Sequence, residues 1–231
     1  MIRAEWVREA YQRISAFIEK TPITYDENIG LYFKWENQQK TGSFKIRGAL
    51  NKVLSLEKND LRNGLITCSA GNHGQGVAVA AKMVGADCVV YASDHATPVK
   101  LEAMKLLGAE VRLVSGGYVE AERTAIEASK NEGAIFISPY NDSRVIAGQG
   151  TIGLEIVQEM GELDQVACLL VPVGGGGLLS GIGAYLQEFP IHPRLIGVQS
   201  EASPFAYSLF KTGTQSGVIE SESIAEGLGG E

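Results

Sequence analysis

The sequence contains no run of like charges, no long apolar stretch, and only three cysteines and three histidines. Each shortage excludes a class of protein. With 20 basic residues against 27 acidic ones and a net charge of -7, no broad cationic face exists for nucleic acid or an anionic membrane, although a small anion can still bind locally. No apolar stretch approaches the roughly 20 residues that span a bilayer. The first residues, MIRAEWVREAYQRISAF, have the pattern of an amphipathic helix rather than a leader peptide, which predicts a cytoplasmic protein. Cys68, Cys88 and Cys168 are odd in number, far apart and set in apolar strand-like runs, and they read as reduced core residues. His73, His95 and His192 lack the clustering of metal ligands, so no histidine-based metal centre is expected.

What is present is enough for a core: 231 residues, 45% hydrophobic, make one large domain or two small ones. Short β-branched runs bounded by turn residues predict strands at 31–36, 65–70, 87–92, 110–115, 134–139, 166–173 and 194–200. Helical patterns lie between them over 75–85, 97–108, 118–133 and 150–161, mostly ending in glycine. Strand, helix, strand in succession predicts parallel crossovers and an open, mostly parallel, twisted α/β sheet. Ligands of such sheets bind beyond the carboxyl ends of the strands.

Two loops occupy such ends. Gly174, Gly175, Gly176 and Gly177, in VPVGGGGLLSG, follow the strongest strand and precede a helical run; their bare backbone N–H groups suit a phosphate, whereas a simple tight turn rarely needs four glycines. It is not a P-loop, because no Gly-Lys-Ser/Thr follows. The second loop, CSAGNHGQGVA, brings together Ser69, Asn72 and His73 at a helix start, which suits either a carboxylate or a plain N-capped turn. GQGTIG at 148–153 matches the dinucleotide fingerprint by count, but the run before it is too short and polar for a strand and no suitable acid follows, so the match reads as coincidence. Lys45, in NQQKTGSFKIRGALNKV, lies between Phe44 and Ile46. It is either a lysine lying along apolar surface with its head in water, or a partly desolvated amine able to form a Schiff base with an aldehyde.

Taken in order, ENQQKTGSFKIRGA, SAGNHGQGVA, GQGTIGLEI and VPVGGGGLLSG resemble the fold-type-II pyridoxal-phosphate enzymes, and within them the threonine/serine dehydratases, from about Thr21 to Glu231. The resemblance implies two α/β lobes of the tryptophan-synthase-β type: residues 1–49 with 144–231 as the large lobe, and 50–143 as a smaller inserted one. It also implies that Lys45 carries the pyridoxal 5'-phosphate cofactor as a Schiff base, that Phe44 packs beside it and that Gly174 to Leu178 hold its phosphate. Ser69, Asn72 and His73 would take the substrate carboxylate, and Asn72 would approach the cofactor's ring hydroxyl. The implied reaction dehydrates and deaminates L-threonine or L-serine to a 2-oxo acid and ammonia. A relative that binds cofactor without turnover, and a β-replacing synthase, are the alternatives. Racemases of the family carry a second serine where this chain has Ala70, which cannot move a proton. Gln199 and Phe205 stand where metal-dependent members place carboxylates, so no metal site is expected. The family usually continues beyond SIAEGLGGE, so an apolar face is expected to be exposed or covered in a homo-oligomer, most simply a dimer.

Overall fold

The computed structural model describes residues 2–161 and 163–229. Helix α1 (Ala4–Ile14) buries Ala4, Val7, Ala10 and Ile14, the apolar stripe of its amphipathic pattern. Strands β1 (Ile23–Asp26) and β2 (Leu31–Lys34) form an antiparallel hairpin, and α2 (Lys45–Val53) follows. The next elements are β3 (Leu65–Cys68), α3 (Asn72–Val84), β4 (Cys88–Ser93), α4 (Pro98–Leu106), β5 (Glu110–Val114), α5 (Tyr118–Glu132) and β6 (Ile135–Phe136). Their strands make one parallel sheet in the order β5-β4-β3-β6. Helix α6 (Ser143–Met160), β7 (Cys168–Pro172), α7 (Gly177–Leu186), β8 (Arg194–Val198) and α8 (Phe205–Thr212) complete the order, with β7 and β8 paired in parallel. The mixed α/β architecture with parallel sheets is the one expected. The boundary drawn at 49/50 falls inside α2.

Alternation along the strands explains the layers. Leu65, Cys88 and Val90 face a core built with Val77, Ala81 and Met104, while Ile66, Cys68 and Tyr91 face Ala121 and Ala125 of α5. The predicted strand at 134–139 is shorter than its apolar run. Ile137 still donates its N–H to the Ile66 carbonyl, but Pro139 has no N–H to continue the ladder, and the chain turns away toward α6. Helix α6 begins earlier than expected, at Ser143, because the Asp142 carboxylate accepts from the N–H groups of Arg144 (2.7 Å) and Val145 (3.1 Å).

The fingerprint-like GQGTIG lies wholly within α6. A Cβ on Gly148 would come within 2.6 Å of Gly48 in α2, and one on Gly150 within 2.6 Å of the Gly181 carbonyl in α7. These glycines let three helix backbones touch, which fixes α2 against α6 and α6 against α7. Gly76 does the same for α3, where an added Cβ would stand 3.2 Å from the backbone of Ile46. Helix α2 is thus wedged between α3 and α6, and everything on its first turn has a fixed place.

Candidate active site

Lys45 opens α2, and its amine is aimed inward. Nζ donates to the Pro139 carbonyl at 3.0 Å and lies 5.4 Å from the centre of the Phe44 ring. No carboxylate among the described residues forms an ion pair with it. Burial alone lowers its pKa from 10.5 to about 8, so a substantial fraction is neutral at ordinary pH. The structure therefore favours the desolvated amine over a lysine with its head in water.

The opposite side of α2 is anchored by charge. Arg47 is fully buried and forms paired hydrogen bonds with Glu36 (2.8 Å, 2.8 Å) and with Glu155 (2.7 Å, 2.9 Å). Lys34 adds a 2.8 Å ion pair to Glu155 and donates to the Thr21 carbonyl at 2.7 Å, and the Thr21 hydroxyl donates to Glu36 at 2.6 Å. Burial by itself would lower the Arg47 pKa, but the hydrogen bonds it donates to Glu155 and Glu36 outweigh it, and the pKa is raised. The network ties β2, α2 and α6 together.

The loop after β3 supplies the next wall. Ser69 is buried and its Oγ accepts from the Gly71 N–H at 3.1 Å; Ala70 and Asn72 are exposed. Gly71 caps α3 without a side-chain bond, so the first-turn N–H groups of α3 are left without a side-chain acceptor. His73 is 3% exposed, with Nε2 at 3.2 Å from the Ile137 carbonyl, which also accepts from the Thr67 hydroxyl at 2.7 Å. Burial first, and the charge of Lys45 second, push the His73 pKa down to about 3. The ring is neutral.

The glycine loop between β7 and α7 has a structural demand at Gly175, Gly176 and Gly177, whereas at Gly174 an added Cβ would make only ordinary contacts. A Cβ on Gly174 would stand 3.4 Å from the Gly227 and Gly229 carbonyls, and one on Gly175 would stand 2.5 Å from the Tyr140 ring. Gly176 has φ +81°, and Gly177 faces the Tyr140 backbone at 3.3 Å. Packing thus accounts for much of the run that sequence alone assigns to phosphate. The resulting surface is nonetheless bare backbone at the start of α7, the arrangement a phosphate needs. Phe44 and Leu178 pack on the same apolar cluster, with Ile152 and Ile182, joining the glycine loop to the lysine turn.

The segment from Ile137 to Tyr140 connects these parts, and sequence reasoning missed it. Its carbonyls receive Thr67, His73 and Lys45, while the Tyr140 ring covers Gly175 and the Tyr140 hydroxyl donates to Glu122 at 3.4 Å. The available signal was Ser-Pro-Tyr immediately after an apolar run in an α/β pattern, a strand end of the kind that carries ligands. The Asn72 side chain makes no hydrogen bond among the described residues.

Cys68, Cys88 and Cys168 are free thiols. The first two are buried, and burial pushes both pKa values up to about 12. The Gln199 carbonyl oxygen accepts from the Tyr207 N–H at 3.0 Å, and Phe205 is buried. Among the described residues no cluster of three or more His, Cys, Asp or Glu could hold a metal ion, and no helix is long and apolar enough to cross a membrane.

Known proteins share this arrangement. Residues 14–231 match the family model described as pyridoxal-phosphate dependent enzyme. An L-threonine ammonia-lyase of Geobacter sulfurreducens is 41% identical over 228 residues, covering 96% of this chain and 56% of the relative. The catabolic L-threonine dehydratase TdcB of Escherichia coli is 43% identical over 199 residues, covering 84% of this chain and 60% of the relative. Maize serine racemase superposes with a TM-score of 0.91 at 30% identity, covering 98% of this chain and 70% of that one. The chain spans somewhat over half the length of these curated relatives. A buried amine of lowered pKa, a bare glycine cradle and a match over nearly the whole chain agree: the chain belongs to the pyridoxal-phosphate dependent enzymes.

Proposed function

We propose that this protein dehydrates and deaminates L-threonine or L-serine, releasing a 2-oxo acid and ammonia. The observation that carries the reading is Lys45, an amine withdrawn from water without a carboxylate partner, held by the Pro139 carbonyl at the end of the segment leading into α6. The support from relatives is that the similar proteins from Geobacter sulfurreducens and Escherichia coli are an L-threonine ammonia-lyase and an L-threonine dehydratase.

The residues fit pyridoxal phosphate. Lys45 would hold its aldehyde, Phe44 and Leu178 would line its flank, and the N–H groups of Gly174 to Leu178 would take its phosphate. Asn72 would face the ring hydroxyl. When bound, the cofactor supplies an electron sink for the charge left by the departing α-proton. Lys45 would take that proton as a general base, a role helped by a pKa near working pH. Ser69 and the N–H groups that open α3 orient the substrate carboxylate, since the helix N-terminus favours an anion. Ala70 offers no second proton donor on that side, which favours elimination over racemisation.

Two lobes, 1–49 with 144–231 and 50–143, are part of the same reading. So is a homo-oligomer, most simply a dimer, supported by Leu170 and Val198 exposed on the outer face of β7 and β8. Three unpaired cysteines support a reducing, cytoplasmic location.

The test is to supply pyridoxal phosphate and L-threonine and assay ammonia and 2-oxobutyrate. Both products are expected from the native chain and neither from Lys45→Ala. Equal ammonia release by the two proteins would refute the assignment of Lys45.

A further inference from the structure

The turn that carries Lys45 is held from outside its own helix. In α3, α4, α5, α6, α7 and α8 the carbonyl of the residue before the helix accepts from the N–H four residues on, at between 2.8 and 3.3 Å. Helix α2 opens differently. The Phe44 carbonyl accepts from Arg47, only three residues on, at 3.0 Å, and the Gly48 N–H reaches across to Oε1 of Gln149 in α6 at 3.1 Å. Phe44 has φ -61° and ψ -17°, whereas the residues that cap α4, α5 and α6 are extended. The first turn of α2 is thus tightened toward 3₁₀ winding, which rotates the chain about 20° more per residue than an α-helix does, and Lys45 is its first residue.

Glycine makes room for this contact: a Cβ on Gly48 would run into the Gln149 amide and stand 2.7 Å from the Val145 carbonyl. Gln149 is 1% exposed, and its Nε2 has no partner among the described residues. The Gly48 N–H can only donate, so the amide cannot turn round to satisfy Nε2 without losing the bond at oxygen. An unsatisfied buried donor costs stability, so what Gln149 contributes comes from its oxygen. We propose that Gln149 is a positioning residue for Lys45: by accepting from Gly48 it keeps the first turn of α2 tight and so sets the direction in which the lysine side chain leaves the helix, toward the Pro139 carbonyl. Without that oxygen the Gly48 N–H is left to the Phe44 carbonyl alone, the turn relaxes to α winding, and Lys45 swings about the helix axis away from Pro139. Arg47, tied to Glu36 and Glu155, keeps the rest of α2 in place, so the change is confined to the residues before it. The inference rests on the reading of Lys45 as the cofactor-binding lysine.

The test uses two variants. Gln149→Met keeps the length of the side chain and removes the acceptor, whereas Gln149→Glu keeps an oxygen for Gly48 and removes the unsatisfied donor. Two reactions of Lys45 are compared in each protein by peptide mapping: the borohydride-trapped adduct with pyridoxal phosphate, which needs the amine aimed at a molecule held by its phosphate, and acetylation by acetic anhydride, which needs only a free amine. Gln149→Met is expected to slow adduct formation roughly ten- to a hundredfold with acetylation changed by less than about threefold, and Gln149→Glu to restore the adduct. Adduct formation unchanged in Gln149→Met, an equal change in both reactions, or a Gln149→Glu protein as impaired as Gln149→Met would each overturn the proposal. Crystal structures without cofactor give a second readout. The native protein is expected to show Arg47 on the Phe44 carbonyl and Gly48 on Gln149, and Gln149→Met to show the Phe44 carbonyl on Gly48 and Lys45 Nζ away from Pro139. A first turn identical in the two proteins contradicts the proposal, and so does a native turn in which Gly48 does not meet Gln149, a result that stands whether or not the variant folds. Absence of any adduct on Lys45 of the native protein would instead refute the proposed function, and the crystal readout would still decide whether Gln149 sets the turn.

Discussion

Lys45 and Arg47 stand two residues apart on one helix, both withdrawn from water, and their proton affinities move in opposite directions. Arg47 meets two carboxylates, each through paired hydrogen bonds, and stays charged. Lys45 meets a single carbonyl, and burial lowers its pKa to about 8. Burial alone therefore does not decide whether a cation survives in this interior; pairing does. One side of α2 serves as an anchor and the other as a chemical group, and the anchor holds the group in place.

Breaking the anchor is expected to have the largest effect. Arg47→Met leaves Glu155 with Lys34 as its remaining cation and Glu36 with only the Thr21 hydroxyl, and should cost about 3–5 kcal/mol, read from urea unfolding. A loss under about 1 kcal/mol would mean the network contributes little to holding α2.

Removing the other cation should do the reverse. Lys45 has a folded-state pKa below its unfolded value, so between about pH 8 and 10.5 the unfolded chain binds more protons and stability rises with pH. Below about pH 8 the full penalty of burying the ammonium applies. Lys45→Met should accordingly stabilise the protein at pH 7, by at most roughly 3 kcal/mol, with the gain fading as pH rises toward 10.5. A destabilised Lys45→Met at pH 7 would show that the ammonium is well solvated or paired.

Gly175→Ala probes the join between the glycine loop and the segment that receives Lys45. The new methyl group would press into the Tyr140 ring, and overpacking of this kind costs about 1–3 kcal/mol. Tyr140→Ala combined with Gly175→Ala should relieve most of it, and equal losses in the single and double variants would separate the two residues.

The smallest effect extends the contrast to a group whose charged form is an anion. Cys68 and Cys88 are buried, and their pKa values rise to about 12, so the native protein at pH 8 should alkylate at Cys168 before either of them. Early labelling of Cys68 or Cys88 would imply an open core.

The candidate residues could be picked out because each group of them is contiguous along the chain. Lys45 with Phe44, Ser69 to His73, and Gly174 to Gly177 each occupy one short stretch, and strand-helix alternation says that such stretches meet beyond a sheet. What could not be read is assembled from distant pieces. The charges of the Arg47 network come from positions 34, 36, 47 and 155, and nothing in their spacing marks them as one cluster. The proton on His73 is placed by a carbonyl 64 residues away. The GQGTIG run shows a subtler limit: glycine serves a tight turn and a close helix crossing equally well, and only the fold shows that Gly148 and Gly150 serve the crossing.

The most direct test of the central claim is to mix the protein with pyridoxal phosphate near pH 8, reduce with borohydride and map the modified peptide. A buried Lys45 whose lowered pKa leaves about half of it neutral at this pH predicts a single dominant adduct at that residue, lost in Lys45→Ala. Modification spread over surface lysines, with Lys45 unlabelled, would contradict the account.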